Sequence, residues 1–159
     1  MSDIRLPLFL PRACNLKKLD LQFTFFSAEN HCELLHLCTN LEVLEVRNVI
    51  GDRGLSMIAQ GCLNLEFIAI HVIDISNLAL EAVGEYCKNL RDFRLVLLDK
   101  EERITDLPLD NGVMALLLGC SKLNRFGLYL RPGGLTDTRL DYIGKYNTNV
   151  RWMLLGFRK

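Results

Sequence analysis

Hydrophobic and polar positions along the chain follow one phrase that recurs throughout the sequence. The phrase is a cysteine, two variable residues, a leucine, two more variable residues, an apolar residue, one variable residue and a second apolar residue. Full copies start at Cys38, Cys62, Cys87 and Cys120, and weaker copies have Ala13 and Asn147 in the cysteine slot. The alternation that ends each phrase predicts a short strand with one buried face.

A second pattern lies between these phrases. Apolar residues stand seven and four positions before the cysteine slot, as Leu55 and Ile58 do before Cys62, and this spacing predicts one face of a helix. A triplet of an apolar, a hydroxyl and an Asx residue precedes several of these helices, at 75–77, 104–106 and 135–137. Ser, Thr, Asp and Asn accept hydrogen bonds from the free amides of a helix start, so each triplet predicts a turn with a cap.

The two patterns together predict one kind of repeat, a strand followed by a turn and a returning helix. A leucine phrase with a period of about 20 to 29 residues is typical of leucine-rich repeats. We therefore predict an α/β leucine-rich-repeat solenoid of about six repeats, a horseshoe arc with a parallel concave sheet and helices outside. Residues 1–159 are expected to form a single domain of this kind.

Residues that alternate with the buried ones should line the concave face of the sheet. Counted from the first leucine of each copy, the plus-four row is Asp20, Glu45, Ala69, Arg94, Gly127 and Leu154. The plus-six row is Gln22, Arg47, His71, Val96, Tyr129 and Gly156.

Arg94 is the most informative residue of these rows, because small residues, Ala69 and Gly127, flank it on the neighbouring strands. This arrangement predicts room for a ligand, and the guanidinium suits carboxylate or phosphate oxygens. Tyr129 and His71 are expected to line this space beside Arg94. The alternative is an ordinary solvated concave surface. The polar loop that follows the Arg94 strand, at 99–112, is either a gate over the gap or a solvated connector.

Composition narrows the classes of function. Lys plus Arg and Asp plus Glu are both 19, so the net charge is zero, which argues against binding to nucleic acid or anionic lipid through bulk charge. Half of the residues are hydrophobic, which excludes global disorder, yet no uncharged stretch is long enough to span a membrane. The sequence shows no pattern typical of a secretory signal. The six cysteines are therefore expected to be free thiols in an intracellular, reducing compartment.

The repeated cysteines are interpreted as structural. Small, buried thiols at the same position of each repeat fit the corner between helix and strand. The alternative is a metal site formed by His31, Cys32, His36 and Cys38, which we reject because these residues lack paired ligand spacing. No nucleophile with a partnered base stands out, so we predict no catalytic residue, no metal, no intrinsic cofactor and no enzyme activity.

Six longer runs of sequence are specific enough to compare with a known family: 41–45 (LEVLE), 47–55 (RNVIGDRGL), 93–99 (FRLVLLD), 101–112 (EERITDLPLDNG), 133–137 (GGLTD) and 149–156 (NVRWMLLG). These runs closely resemble the coronatine-insensitive family of plant F-box proteins. The resemblance implies a jasmonate co-receptor, the substrate-recognition part of an SCF-type ubiquitin ligase in the nucleus. In that family the repeats bind jasmonoyl-isoleucine together with the degron of a jasmonate ZIM-domain repressor, above an inositol polyphosphate.

The resemblance also implies roles for individual residues. Arg94 matches an arginine that contacts the hormone and reaches the inositol phosphate, and Tyr129 matches a tyrosine of the hormone pocket. Trp152 and Leu154 match residues that contact the degron or close the pocket. His71 stands where well-known members have a pocket tyrosine, and in this respect the chain is similar to the second, grass-type branch of the family.

The chain also departs from the family pattern. It has no F-box, so contact with a ubiquitin-ligase adaptor is not expected, and it corresponds to an internal portion of a longer horseshoe. One repeat is expected to be missing near 54–60, where the two sides join in register. The alternative function is therefore a truncated leucine-rich-repeat scaffold that binds proteins without a small-molecule ligand.

Overall fold

A computed structural model of the protein describes residues 12–21, 35–50, 52–72, 74–98, 108–146 and 149–157. Within these residues the strands are β1 Lys18–Asp20, β2 Val43–Ile50, β3 Phe67–Val72, β4 Asp92–Leu97, β5 Arg125–Leu130 and β6 Trp152–Phe157. The helices are α1 Asp52–Gly61, α2 Asn77–Tyr86, α3 Asp110–Gly119 and α4 Asp137–Tyr146. Strands and helices alternate from β2 onward, which confirms the predicted α/β repeat.

The six strands form one parallel sheet in which their order along the chain is also their order in space. The apolar residues of the phrase lie side by side, with Leu44 beside Ile68, Ile68 beside Phe93 and Phe93 beside Phe126. All four side chains are fully buried. From β2 to β6, neighbouring strands are connected through a helix, and the stacked repeats bury one continuous core, which confirms the solenoid.

One irregularity interrupts the regular register. The pairing of β2 with β3 shifts between Val46 and Ile50, and Ile50 lies opposite Val72. The strict row that contains His71 therefore does not continue to Arg47, although both residues line the same cavity.

The repeated cysteines form a buried line along the solenoid. Cys38, Cys62, Cys87 and Cys120 are all buried, and three of their thiols donate to carbonyls of the preceding repeat: Cys62 to Cys38, Cys87 to Ala59 and Cys120 to Val83. Burial raises the pKa of Cys62 and of Cys87 to about 12. These thiols stay protonated at neutral pH, which fits a structural role and not a nucleophilic one.

The predicted caps also connect neighbouring repeats. The Ser76 hydroxyl accepts from the Ala79 amide and caps α2, as predicted. In addition, the Asp52 carboxylate accepts from both the amide and the hydroxyl of Ser76, each at 2.7 Å. Asp110 binds Thr136 in the same way, at 2.9 and 2.7 Å. A carboxylate at the start of one helix thus holds the turn before the next one; the triplet at 104–106 lies outside the described residues.

Helices α2 and α3 approach each other closely through small residues. A β-carbon on Gly84 would overlap the backbone of Ala115, and one on Gly119 would overlap the backbone of Gly84. This contact sets the distance between the repeats that carry β3 and β4, where His71 and Arg94 lie. None of the helices in the described ranges is long and apolar enough to cross a membrane.

Candidate functional site

The predicted concave rows are present in the sheet. Pairing runs from Asp20 through Glu45, Ala69, Arg94 and Gly127 to Leu154, which is the plus-four row. The plus-six row runs from His71 through Val96 and Tyr129 to Gly156. Gln22 lies outside the described residues.

A third row on the same face was largely missed by the sequence reasoning, which selected only Trp152 from it. Its members are Lys18, Val43, Phe67, Asp92, Arg125 and Trp152. Strand alternation predicts this third row as well, because residues two positions before the plus-four row lie on the same face of the sheet. Two of these residues, Phe67 and Asp92, determine the position of Arg94.

The Arg94 side chain turns back along its own strand toward this third row. Its Nε donates to Asp92 Oδ1 at 3.1 Å and its Nη2 to Asp92 Oδ2 at 3.0 Å. The central guanidinium carbon lies 5.3 Å from the ring centroid of Phe67 and 5.7 Å from that of Trp152. A two-point ion pair and two cation–π contacts therefore hold the guanidinium.

The two sides of Arg94 differ in the space that they leave. On the Gly127 side, a β-carbon would lie 3.7 Å from Arg94 Cγ and 3.6 Å from the Trp152 ring, which is ordinary van der Waals contact, so these two side chains border the space that glycine leaves. On the Ala69 side there is an open cavity of about 190 Å³, which we call the Ala69 cavity. It is lined by Glu45, Arg47, Ala69, Ile70, His71, Arg94 and Val96.

His71 lines the Ala69 cavity as predicted, but Tyr129 does not. The Tyr129 ring leans onto Gly156 of the next strand, where it fills the position of the missing β-carbon. The prediction that Tyr129 and His71 line the same gap is therefore wrong, because Gly156 leaves room for the tyrosine ring on the β6 side, away from the Ala69 cavity. A role for Tyr129 in hormone binding stays a prediction.

The Ala69 cavity combines charged, polar and apolar groups. Burial lowers the pKa of His71, and the positive charge of Arg47 lowers it further. The imidazole is therefore neutral at pH 7, able to donate from one nitrogen and accept at the other. Ala69 and Val96 add apolar surface, so the cavity suits a ligand with both an anionic and an apolar part.

Trp152 and Leu154 form an exposed apolar surface next to Arg94. They lie two positions apart on β6, so they share a face, and their exposed fractions are 42% and 53%. A second cavity, of about 380 Å³, opens between α4 and β6 and includes Leu140, Ile143 and Met153. Apart from Trp152 it contains none of the predicted site residues.

The sequence similarity of the chain to known proteins tests the predicted resemblance. No protein-family model matches the chain. The chain is 50% identical over 193 residues to coronatine-insensitive protein 1 of Arabidopsis thaliana, which covers 99% of this chain and 33% of that protein. It is 52% identical over 192 residues to coronatine-insensitive protein homolog 1b of Oryza sativa subsp. japonica (98% and 32%). The chain resembles a part of the coronatine-insensitive proteins.

This result confirms the resemblance predicted from the sequence. The chain spans about a third of the length of these coronatine-insensitive relatives. A second paralogue, homolog 2 of Oryza sativa subsp. indica, is 48% identical over 193 residues, with 98% of this chain and 33% of that protein covered. Overall identity does not place the chain nearer to this paralogue than to homolog 1b, so that assignment rests on His71.

The alignment with the coronatine-insensitive proteins is longer than the chain itself. It extends over 193 positions, whereas the chain has 159 residues, so at least 34 positions of the relative have no counterpart here. This is enough for a whole leucine-rich repeat. The finding agrees with the prediction that one repeat is missing, while its location near 54–60 stays a prediction.

The metal and gate hypotheses fall partly outside the described residues. His31 and Cys32 of the rejected metal site are not among them, and neither is 99–107 of the polar loop. Among the residues that are described, no group of three or more His, Cys, Asp or Glu side chains lies close enough together to hold a metal ion.

Proposed function

We propose that this chain is a non-enzymatic repeat module that binds jasmonoyl-isoleucine and the degron of a jasmonate ZIM-domain repressor on its concave face. In this proposal it is the substrate-recognition part of an SCF-type ubiquitin ligase and acts in the nucleus. About 50% identity to coronatine-insensitive proteins supports the assignment. The observation on which the proposal most depends is the position of Arg94, between two aromatic rings and beside the Ala69 cavity.

Arg94 supplies the anion-binding group of the proposed site. Two of its N–H groups bind Asp92, and the guanidinium has further N–H groups for the carboxylate of the hormone. The neutral His71 offers hydrogen bonds to the amide of jasmonoyl-isoleucine, and Val96 offers apolar contact. Tyr129 is included as a hormone contact on the strength of the resemblance.

The peptide is proposed to bind at Trp152 and Leu154. Exposed tryptophan is among the residue types that contribute most to binding at protein interfaces. Because Trp152 also stacks with Arg94, a peptide on this surface would cover the guanidinium and exclude water from a ligand below it. Peptide and hormone binding would thereby strengthen each other.

An inositol polyphosphate is proposed from the resemblance alone. Arg94 and Arg125 are the concave arginines of β4 and β5 that would meet its phosphates, which guanidinium groups bind well. The adjacent Asp92 opposes this binding by neutralising Arg94. The bound phosphates would supply negative charge that fixes the arginines beneath the hormone.

A scaffold without a small-molecule ligand is the second candidate function, and the size of the cavity favours it. Sites that enclose a small molecule commonly have volumes of about 300 to 1,000 Å³, whereas the Ala69 cavity has about 190 Å³. It therefore holds only a part of a ligand, unless a bound peptide completes the walls.

A pull-down separates the two candidates. A degron peptide is incubated with the chain, with and without jasmonoyl-isoleucine, for the wild type, for Arg94→Ala and for Arg53→Ala. Arg53 is an exposed residue of α1 and serves as a control with the same change of charge. We expect hormone-dependent capture that Arg94→Ala abolishes and Arg53→Ala preserves. Capture that does not depend on the hormone supports the scaffold, and absence of capture contradicts binding of the degron.

A further inference from the structure

Asp92 is a buried carboxylate on the concave face of the sheet, most of whose other described residues are partly or fully exposed. In the part of the chain that the structure describes, it is the one charged residue that is buried. Its side chain is 11% exposed, while that of its partner Arg94 is 44% exposed. Both carboxylate oxygens accept from Arg94. A buried carboxylate that loses its partner is strongly unfavourable, so Asp92 resists any movement of the guanidinium away from it.

The position of Asp92 determines where the guanidinium lies. Asp92 belongs to the row nearest the start of the strands and is in register with Phe67, while the Ala69 cavity extends along the following rows toward His71. Arg94 lines that cavity, and its charged end is bound to Asp92 and lies over the Phe67 ring. An anion in the cavity therefore meets an arginine whose Nε and Nη2 already donate to the carboxylate of Asp92.

We propose that Asp92 is an internal competitor of the ligand, which occupies the guanidinium of Arg94 and sets the affinity of the site for carboxylates and phosphates. The proposal rests on the proposed function of Arg94 as the anion-binding residue. The side chain of Asp92 is itself a carboxylate, the same chemical group as the ligand's, and it makes the two-point contact that a ligand would make. Since the ion pair has no net charge, it attracts a further anion weakly, and ligands that offer more than one anionic oxygen displace Asp92 best.

The test uses inorganic phosphate and the single tryptophan of the chain. Trp152 contacts the guanidinium, so its fluorescence reports when Arg94 leaves its position. Phosphate is titrated into the whole 159-residue chain as wild type, Asp92→Asn, Glu42→Gln and Arg94→Ala. Glu42 is the exposed partner of Lys17, and its substitution removes the same negative charge just before β2, two strands away from β4.

We expect Asp92→Asn to bind phosphate about tenfold more tightly than the wild type, since a charged competitor is replaced by a neutral group. Glu42→Gln should bind as the wild type does, and Arg94→Ala should give no response. Equal or weaker binding by Asp92→Asn overturns the proposal and makes Asp92 a residue that positions Arg94. An equal gain in Glu42→Gln also overturns it, because net charge would then be the cause.

The wild type provides a second measurement in case Asp92→Asn does not fold. Phosphate should change the Trp152 emission of the wild type in a saturable way, and sulfate, which has the same shape, should compete with it. Emission that does not change overturns the proposal, because Asp92 would then not be displaced. These readouts require neither hormone nor peptide, so failure of the pull-down rejects the proposed function without deciding the role of Asp92.

Discussion

Gly84 and Gly119 meet where helices α2 and α3 cross, with the carbonyl of Gly84 occupying the place of a β-carbon on Gly119. The two repeats can approach this closely only because neither residue has a side chain. The contact lies on the helical side of the solenoid, between the helices that follow β3 and β4, the strands that carry His71 and Arg94.

The Gly119→Ala substitution should lower the stability of the chain. The added methyl group meets backbone and not a flexible side chain, so α3 has to move, at a cost of about 1 to 3 kcal/mol. The free energy of unfolding in urea measures this effect. The control is Gly61→Ala at the end of α1, where the structure has open space around the new methyl group and no loss is expected. Equal stability of wild type and Gly119→Ala would contradict the close contact.

The Asp52→Ala substitution should also destabilise the solenoid. It removes both hydrogen bonds to Ser76 and leaves the capping turn of α2 without its partner in the preceding repeat. We expect a loss of about 1 to 3 kcal/mol in the free energy of unfolding, as for other charged hydrogen-bond acceptors. Glu85→Ala on the exposed face of α2 is the control and should change stability little. If both variants lose the same amount, the contact with Ser76 is not the cause.

Stability should fall as the pH rises above the ordinary thiol range. The pKa of Cys62 and Cys87 is raised to about 12 in the folded chain by burial, whereas unfolded thiols release their protons near their ordinary value. Above that value the unfolded state binds fewer protons than the folded state, so each thiol lowers the free energy of unfolding by about 1.4 kcal/mol per pH unit. The loss begins near pH 9 and continues toward pH 12.

Urea unfolding at several alkaline pH values measures this decline, and a Cys87→Ala variant isolates its cause. The variant is less stable at neutral pH because of the lost side chain, but its stability should decline less steeply with pH. Parallel curves for the variant and the wild type would contradict a buried, protonated Cys87.

The His71→Tyr substitution tests the role of the wall of the Ala69 cavity. A tyrosine supplies the ring that the resemblance predicts for hormone contact, and it adds apolar surface without changing the charge at pH 7. We expect a several-fold increase in hormone-dependent capture of the degron, measured by pull-down over a series of hormone concentrations. His36→Tyr, at an exposed position, should have no effect. An unchanged response of His71→Tyr to the hormone would remove position 71 from the site.

Trp152→Ala and Leu154→Ala test the peptide surface. Each removes exposed apolar area next to Arg94, and we expect at least about a tenfold loss of degron affinity for Trp152→Ala, as for tryptophan at other interface centres. Leu118→Ala is the matched control, because Leu118 is 64% exposed but lies on helix α3. Calorimetric titration with the peptide measures these affinities. Equal losses in all three variants would indicate a general effect of apolar area.

Much of the fold follows from local spacing alone. The cysteine and leucine phrase predicts which residues are buried, and strand alternation then assigns Ala69, Arg94 and Gly127 to one row, because both rules depend only on positions along one repeat. The burial of Cys62 and Cys87 follows from the same spacing. These features repeat, so each copy of the phrase adds evidence for the others.

The arrangement of the site depends instead on contacts between repeats. Arg94 and Trp152 border the space beside Gly127, Tyr129 turns toward Gly156, and Asp92 binds the guanidinium. Period and alternation specify the face on which a side chain lies but not its rotamer, which is selected by the neighbours available on adjacent strands. The sequence therefore predicts which residues meet on the concave face, whereas their directions, and with them the shape of the Ala69 cavity, result from packing among residues distant along the chain.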